Sequence, residues 1–460
     1  MRLQYVVFSL LGIVGLCLLC ALVYNLPPVH ERLGWRVANL RSQVFYALNP
    51  PQEVVFIPQE QALIESIVQA TLAALKPAAL KPTALQPTSP LPAATPTPSP
   101  SKGSPAPAQV SPTPSPTALS TSTPIPTIAP TPIPGQVILT GITHEYQQMN
   151  NCGPATLAML LTYWGWQGDQ RDTRRYLRPN FAEVDDKNVN PSEMVVFIES
   201  QTGLKALVRF GGDLETVKRL LAAGFPVIIE KGFQPPKEDW MGHYEVINGY
   251  DDAQGRFITQ DAYIMPDFPV PYGDLSERWW RDFNYVYLVA YPPEREAEVL
   301  SILGPDADPD ANSQRAADKA ATETATQGGR DLFFAWFNLG SSLANLERYA
   351  EAAQAFDQAF TVYADLRQDE RPWRALWYRA EPYAAYYYTG RYQDVINLAN
   401  TTLSFLSAPI LEETLYWRGM AKEADGDVQG AIADLERAVR VNPSSTGAAS
   451  ELQRLGVAVP

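Results

Sequence analysis

Residues 77 to 134 hold 18 of the chain's 41 prolines, mixed with Thr, Ser and Ala. Proline lacks a backbone N–H and has a fixed φ, and the side chains around it here are too small or too polar to bury a core. The stretch is therefore expected to be an extended, partly polyproline, disordered linker over 77–135. It divides the 460 residues into an N-terminal piece and a folded piece that starts near Gln136. What remains beyond that point is long enough for two domains.

Before the linker, Val6 to Tyr24 is a mostly apolar run long enough to span a bilayer as a helix. Residues 1–26 are expected to be a transmembrane anchor. No small-x-small cleavage site follows the run, and neither Cys17 nor Cys20 follows the small residues of a lipoprotein signal. Residues 27–76 carry two juxtamembrane amphipathic patterns, one through Leu33, Val37, Leu40, Val44 and Leu48, the other through Leu63, Ile64, Ile67, Val68, Leu72 and Leu75. Arg32, Arg36 and Arg41 follow the apolar run and, taken literally, place the bulk of the chain in the cytoplasm. The same basic face suits an anionic membrane surface, and large domains translocate regardless of charge. With a Thr-Pro linker of a composition common in wall-crossing surface proteins, the expectation is a single-pass cell-membrane protein with its soluble domains extracytoplasmic. The formal charge of -14 and the absence of a basic block exclude nucleic acid as a partner.

Beyond the apolar run Cys152 is the only cysteine, which excludes a disulfide framework and a Cys-rich zinc site. It precedes Leu157, Leu160, Leu161 and Trp164, spaced as one face of a helix that Gly165 ends. A thiol at a helix N-terminus ionises more readily than a free one, because unpaired N–H groups and the dipole favour the anion. An inert, buried cysteine is the bland alternative, and the company Cys152 keeps decides between them.

Downstream, Val137–Thr140 reads as a strand, Pro191–Thr202 and Asp213–Ala223 as helices, the second capped by Asp213 and stopped by Gly224. Phe225–Glu230 reads as a buried strand, 231–242 as a loop, and His243–Tyr250, Arg256–Gln260 and Tyr285–Tyr291 as further strands. Helices followed by antiparallel strands describe an α+β domain. A nucleophilic cysteine needs a base, a group to orient that base, and donors for the oxyanion. His243 opens a strand after the long loop, Asp261 follows the next strand, and Gln147 stands five residues before Cys152. His144 precedes the helix on an extended segment and is not the favoured base. Trp240 and Met241 form either an apolar wall over the cleft or packing against the sheet.

Asn-Asn-Cys152-Gly-Pro-Ala, Gly242-His243-Tyr-Glu-Val-Ile-Asn-Gly-Tyr-Asp and Gln260-Asp261-Ala-Tyr together resemble the papain-like cysteine peptidases related to bacteriocin double-glycine leader peptidases, over about residues 136–292. The resemblance implies a papain-like fold, with Cys152 as nucleophile, His243 as general base and acid, Asp261 as orienter and Gln147 as oxyanion donor. The family's glutamine usually stands six residues before the cysteine, where this chain has Tyr146, so Gln147 requires a one-residue shift and Gln148 is its alternative. The family's third residue usually precedes proline, and here Ala262 follows Asp261.

After a polar connecting segment with a capping helix (293–330), Trp336, Leu339, Gly340, Leu343, Ala352, Phe356 and Ala359 fall at tetratricopeptide offsets, and Gly419, Ala431, Leu435, Ala438 and Pro443 do so again. Gly390, Tyr392 and Val395 mark a degenerate copy between them. Residues 331–460 are thus expected to stack as an all-α tetratricopeptide superhelix with a concave groove for a protein partner. The whole reads as a membrane-anchored cysteine peptidase acting on a peptide or protein substrate without metal or organic cofactor. A non-catalytic surface adaptor, or an amidase or transpeptidase on cell-wall peptides, is the alternative.

Overall fold

The computed structural model describes residues 132–179, 188–235, 238–404 and 410–460, together with Val55 to Gln59 and scattered earlier positions. The expected anchor, juxtamembrane helices and linker otherwise lie outside the described residues. Among the described residues, no helix is long and apolar enough to cross a membrane.

Seven antiparallel strands form one sheet: β1 (Gln136–Ile138), β2 (Lys205–Arg209), β3 (Val227–Phe233), β4 (Met241–Asp251), β5 (Arg256–Asp261), β6 (Met265–Pro271) and β7 (Tyr287–Tyr291), ordered β2-β7-β3-β4-β5-β6 with β1 against β4. The expected loop 231–242 is shorter than its composition suggested. Pairing continues through Lys231↔His243 to Phe233↔Met241, so His243 sits inside β4 rather than at its start. Strand β6 contains Pro266, Pro269 and Pro271, which hide it from a pattern reading; it lies at a sheet edge, where a missing N–H is tolerated.

Four helices accompany the sheet: α1 (Cys152–Tyr163), α2 (Gln170–Leu177), α3 (Pro191–Gln201) and α4 (Leu214–Ala222). Gly165 ends α1 in the left-handed region at φ 84°, and Asp213 caps α4 by accepting from the Thr216 N–H, both as expected. Helix α1 is buried from Gly153 to Leu161 and packs with Ile228, Tyr244 and Val246 of the sheet. Gly153 lets the helix approach closely: a Cβ would stand 3.0 Å from Met194 Cε and 3.3 Å from Val189 Cβ.

The connecting segment forms α5 (Glu296–Leu303) and α6 (Pro309–Thr324). Asn312 of α6 bonds both backbone groups of Phe210, fastening the connector to the end of β2. Three helical hairpins follow, α7 (Gly329–Asn345) with α8 (Tyr349–Asp365), then, after a short helix α9 (Ala375–Tyr378), α10 (Glu381–Tyr388) with α11 (Tyr392–Ser404), and α12 (Glu412–Ala424) with α13 (Val428–Val441), closed by α14 (Thr446–Arg454). The small residues of the repeat pattern are where helices touch. A Cβ on Gly340 would meet the Phe356 ring at 2.7 Å, and one on Gly419 would meet Leu435 at 3.1 Å.

The repeats are continuous with the sheet. Trp240, Phe283 and Val286 share one buried cluster with Phe333, Phe334 and Phe337 of α7 and with Tyr383 and Tyr386 of α10. Side chains of α7 and α12 bond the peptidase-like part: Asn338 donates to the Arg281 carbonyl, Ser342 accepts from Asn284, and Glu413 accepts from Asn190 at the start of α3.

Candidate active site

Cys152 is the first residue of α1, and what holds it there is the preceding loop. Asn150 turns the chain in the left-handed region at φ 49°. Gln170, at the start of α2, braces the turn with four side-chain hydrogen bonds: it accepts from the Gln148 N–H and from Asn151 Nδ2, and donates to the Tyr146 carbonyl and Glu145 Oε2. Arg178 donates to the Asn150 carbonyl from the end of the same helix. Neither brace was legible beforehand. Gln170 lies in a polar segment, and only tertiary packing makes it a buried amide with every bond directed at the nucleophile's loop.

His243 is 2% exposed, and its Nε2 lies 2.9 Å from Asp261 Oδ1. The Cys152 thiol lies close enough to the same ring to interact with it, and with Nε2 facing Asp261 that leaves Nδ1 to the thiol. Phe233 stacks on the imidazole at 4.7 Å between centroids, fixing its plane. Asp261 is fully buried, and its Oδ1 also accepts from the backbone N–H groups of Tyr263 and Ile264. Gln147 is tied by its N–H to the Ala262 carbonyl, 2.8 Å away, next to Asp261, and its buried Oε1 has no protein partner. Gln148 is engaged by Arg174 and Gln170 instead. His144 lies beside Gln260, Asp261 and Asp267, with its ring edge-on to Tyr146; Cys152's imidazole partner is His243.

These contacts set the charges. Burial opposes a charged ring, but Asp261 and then Cys152 outweigh it and push His243 up to about 10. Burial likewise opposes the thiolate, yet the His243 bond and the backbone N–H groups of Tyr244 and Gly153 bring Cys152 below its ordinary value. Asp261 is held well below the usual carboxylate range, since the His243 charge and hydrogen bond outweigh its burial. The arrangement suits a thiolate–imidazolium pair steadied by a carboxylate.

A further acid stands close by without spoiling that pair. Glu230 of β3 is buried opposite Tyr244 in the sheet register and feels the Cys152 charge. Burial raises its pKa well above the ordinary value, which favours the neutral acid and weakens its repulsion of the thiolate. It stands in a run that reads only as a buried strand.

The repeats reach this site. Tyr378 of α9 meets the Gly242 backbone and lies near enough to feel the Cys152 and Glu230 charges. Gly242 permits the approach: a Cβ there would sit 2.6 Å from Phe283 Cζ and 2.9 Å from Tyr378 Cε1. Trp240, expected as either wall or packing, is packing. It is buried, stacks parallel to Phe283 and donates Nε1–H to Asp282.

Residues 140–279 match the Peptidase_C39 like family model, and residues 335–366 and 413–445 match tetratricopeptide repeat models. The chain carries a C39-like peptidase domain followed by tetratricopeptide repeats. Solved structures of peptidases are among those similar to it. A C39-like peptidase structure from Bacillus anthracis is 18% identical over 34% of this chain and 96% of its own, with a TM-score of 0.29. A double glycine motif protease from an AMS/PCAT transporter, solved in complex with the leader peptide, is 21% identical over 34% of this chain and 98% of its own, with a TM-score of 0.25. No curated protein matches the chain.

Proposed function

We propose that the C39-like domain hydrolyses peptide bonds in a peptide or protein substrate. The Cys152 thiolate attacks the scissile carbonyl carbon, and the resulting oxyanion is held by the Gln147 amide and the Cys152 backbone N–H. Protonated His243 gives its proton to the leaving amine as the C–N bond breaks, forming a thioester on Cys152. Neutral His243 then takes a proton from water, which displaces the thiol and releases the acid. Asp261 keeps the ring's tautomer and orientation throughout. The observation that carries this reading is the placing of Cys152 beside the His243 ring, whose Nε2 lies 2.9 Å from Asp261 Oδ1.

The repeats narrow the cleft, with Tyr378 as a wall beside Gly242 and His243, and they present the remaining array surface to a protein partner. The N-terminal apolar run anchors the chain in the cell membrane, with the folded part outside.

Iodoacetamide labelling of the protein across pH, wild type against His243→Ala, tests the chemistry. The wild type is expected to react well below the ordinary thiol pKa of about 8.5, and the variant to lose that low-pH reactivity. An ordinary thiol profile in both proteins sinks the peptidase reading and leaves the adaptor.

A further inference from the structure

Val55 to Gln59 lie more than seventy positions before the first strand, yet they are seated on the repeats. Phe56 is 8% exposed; its ring meets Phe360 of α8 edge-on at 5.1 Å and Tyr386 of α10 at 6.2 Å. Pro58 is buried, while Ile57 between them is 48% exposed. The Gln59 N–H donates to Asp394 Oδ1 of α11 at 2.9 Å. An alternation of buried, exposed and buried side chains ending in a backbone bond is how an extended peptide is read by side-chain pockets.

The slot is ordered by its own ion pairs. Arg391 binds Asp357 through both terminal nitrogens and also holds Asp394, and the Tyr386 hydroxyl donates to Asp357. It lies on the second helices α8 and α11, with Tyr386 from α10 between them.

We propose that this seam is a peptide-binding site for an extended aromatic-x-proline segment, and that its resident occupant is the chain's own Phe56-Ile57-Pro58. The inference does not depend on peptidase activity. A contact of this size is weak between separate molecules, but within one chain the effective concentration is on the order of 1 mM. The chain from residue 60 to 131 then begins and ends on the same folded unit. The link between the apolar run ending at Tyr24 and the folded unit is residues 25–54, about 30 residues, rather than residues 25–135, about 111. The greatest possible separation falls from roughly 390 Å to roughly 100 Å at full extension.

The test uses the uncleaved full chain in mild detergent, with amide hydrogen exchange read over residues 53–60 and over α8 and α11. In the wild type the segment is expected to exchange at least tenfold more slowly than a free synthetic peptide of residues 53–60, with the Gln59 N–H protected by Asp394. Phe56→Asp should bring the segment to the free-peptide rate, whereas Ile57→Asp, at the exposed neighbour, should leave its protection within twofold of the wild type. Unchanged exchange across the sheet in Phe56→Asp separates loss of docking from loss of folding. Exchange of the wild-type segment at the free-peptide rate, or equal behaviour of the two variants, overturns the proposal.

Discussion

His243, raised to about 10, and Asp261, held below the carboxylate range, favour folding in opposite pH directions. The imidazole contributes fully below its unfolded value of about 6.5, and its contribution fades as pH climbs to 10. The carboxylate contributes above about 3.9 and fades as pH falls below it. Asp261→Asn is therefore expected to lower urea stability by about 3 kcal/mol near pH 5 to 6, with the gap closing toward pH 10. The same variant should lower peptide hydrolysis roughly 100-fold or more, because the ring loses its orienting anion. Asp282 supplies the contrary case. Burial pushes it up to about 7, Trp240 donates to one oxygen, and the other has no protein partner. Between pH 4 and 7 the unfolded chain ionises this group while the folded chain does not, so the wild type should lose about 1.4 kcal/mol per pH unit relative to Asp282→Asn. Paired denaturation curves at pH 4, 5.5 and 7 check this, and parallel stabilities refute it.

At the scale of elements, the nucleophile depends on a loop rather than on α1 alone. Gln170→Ala removes the four side-chain bonds that brace residues 145–151. Each lost buried hydrogen bond costs about 1 kcal/mol. The variant is expected to melt several degrees lower and to alkylate more slowly at pH 6, while retaining the sheet by circular dichroism. Strand β4 meets α9 at Gly242, where two aromatic rings fill the space of a side chain. Gly242→Ala should destabilise by about 1–3 kcal/mol through overpacking, and adding Tyr378→Ala should recover part of that loss. Thermal midpoints of the two single variants and the double variant decide it; simple additivity would show that the rings do not compete for that space.

Across the whole molecule, the peptidase-like part and the repeats share a core. Trp240, Phe283 and Val286 belong to the sheet part, but they are buried with Phe333, Phe334 and Phe337 of α7. Burying each such side chain contributes about 1.5–3 kcal/mol. A fragment of residues 136–292 is accordingly expected to self-associate or to melt well below residues 136–460, as read by size exclusion and calorimetry. A fragment that stays monomeric with the longer protein's melting temperature would contradict this packing.

Local chemistry determined much of this protein directly. Periodicity and caps marked α1, α3 and α4, because Gly165, Gly224 and Asp213 act on the backbone beside them whatever surrounds the helix. The repeats were legible because glycine and alanine offsets record the close approach of neighbouring helices. Cys152, His243 and Asp261 stood out by residue type and order, and Gln147 by its place before the cysteine. Folding alone decided what surrounds them. Gln170 and Arg178 are ordinary polar residues until α2 packs beside the loop, Glu230 is unremarkable until burial raises its pKa, and Tyr378 belongs to the repeats until α9 meets β4. The docking of Phe56 is likewise a long-range event, with no periodicity of its own. Short-range order follows from a residue and its neighbours along the chain, whereas burial and charge depend on segments that meet only in three dimensions.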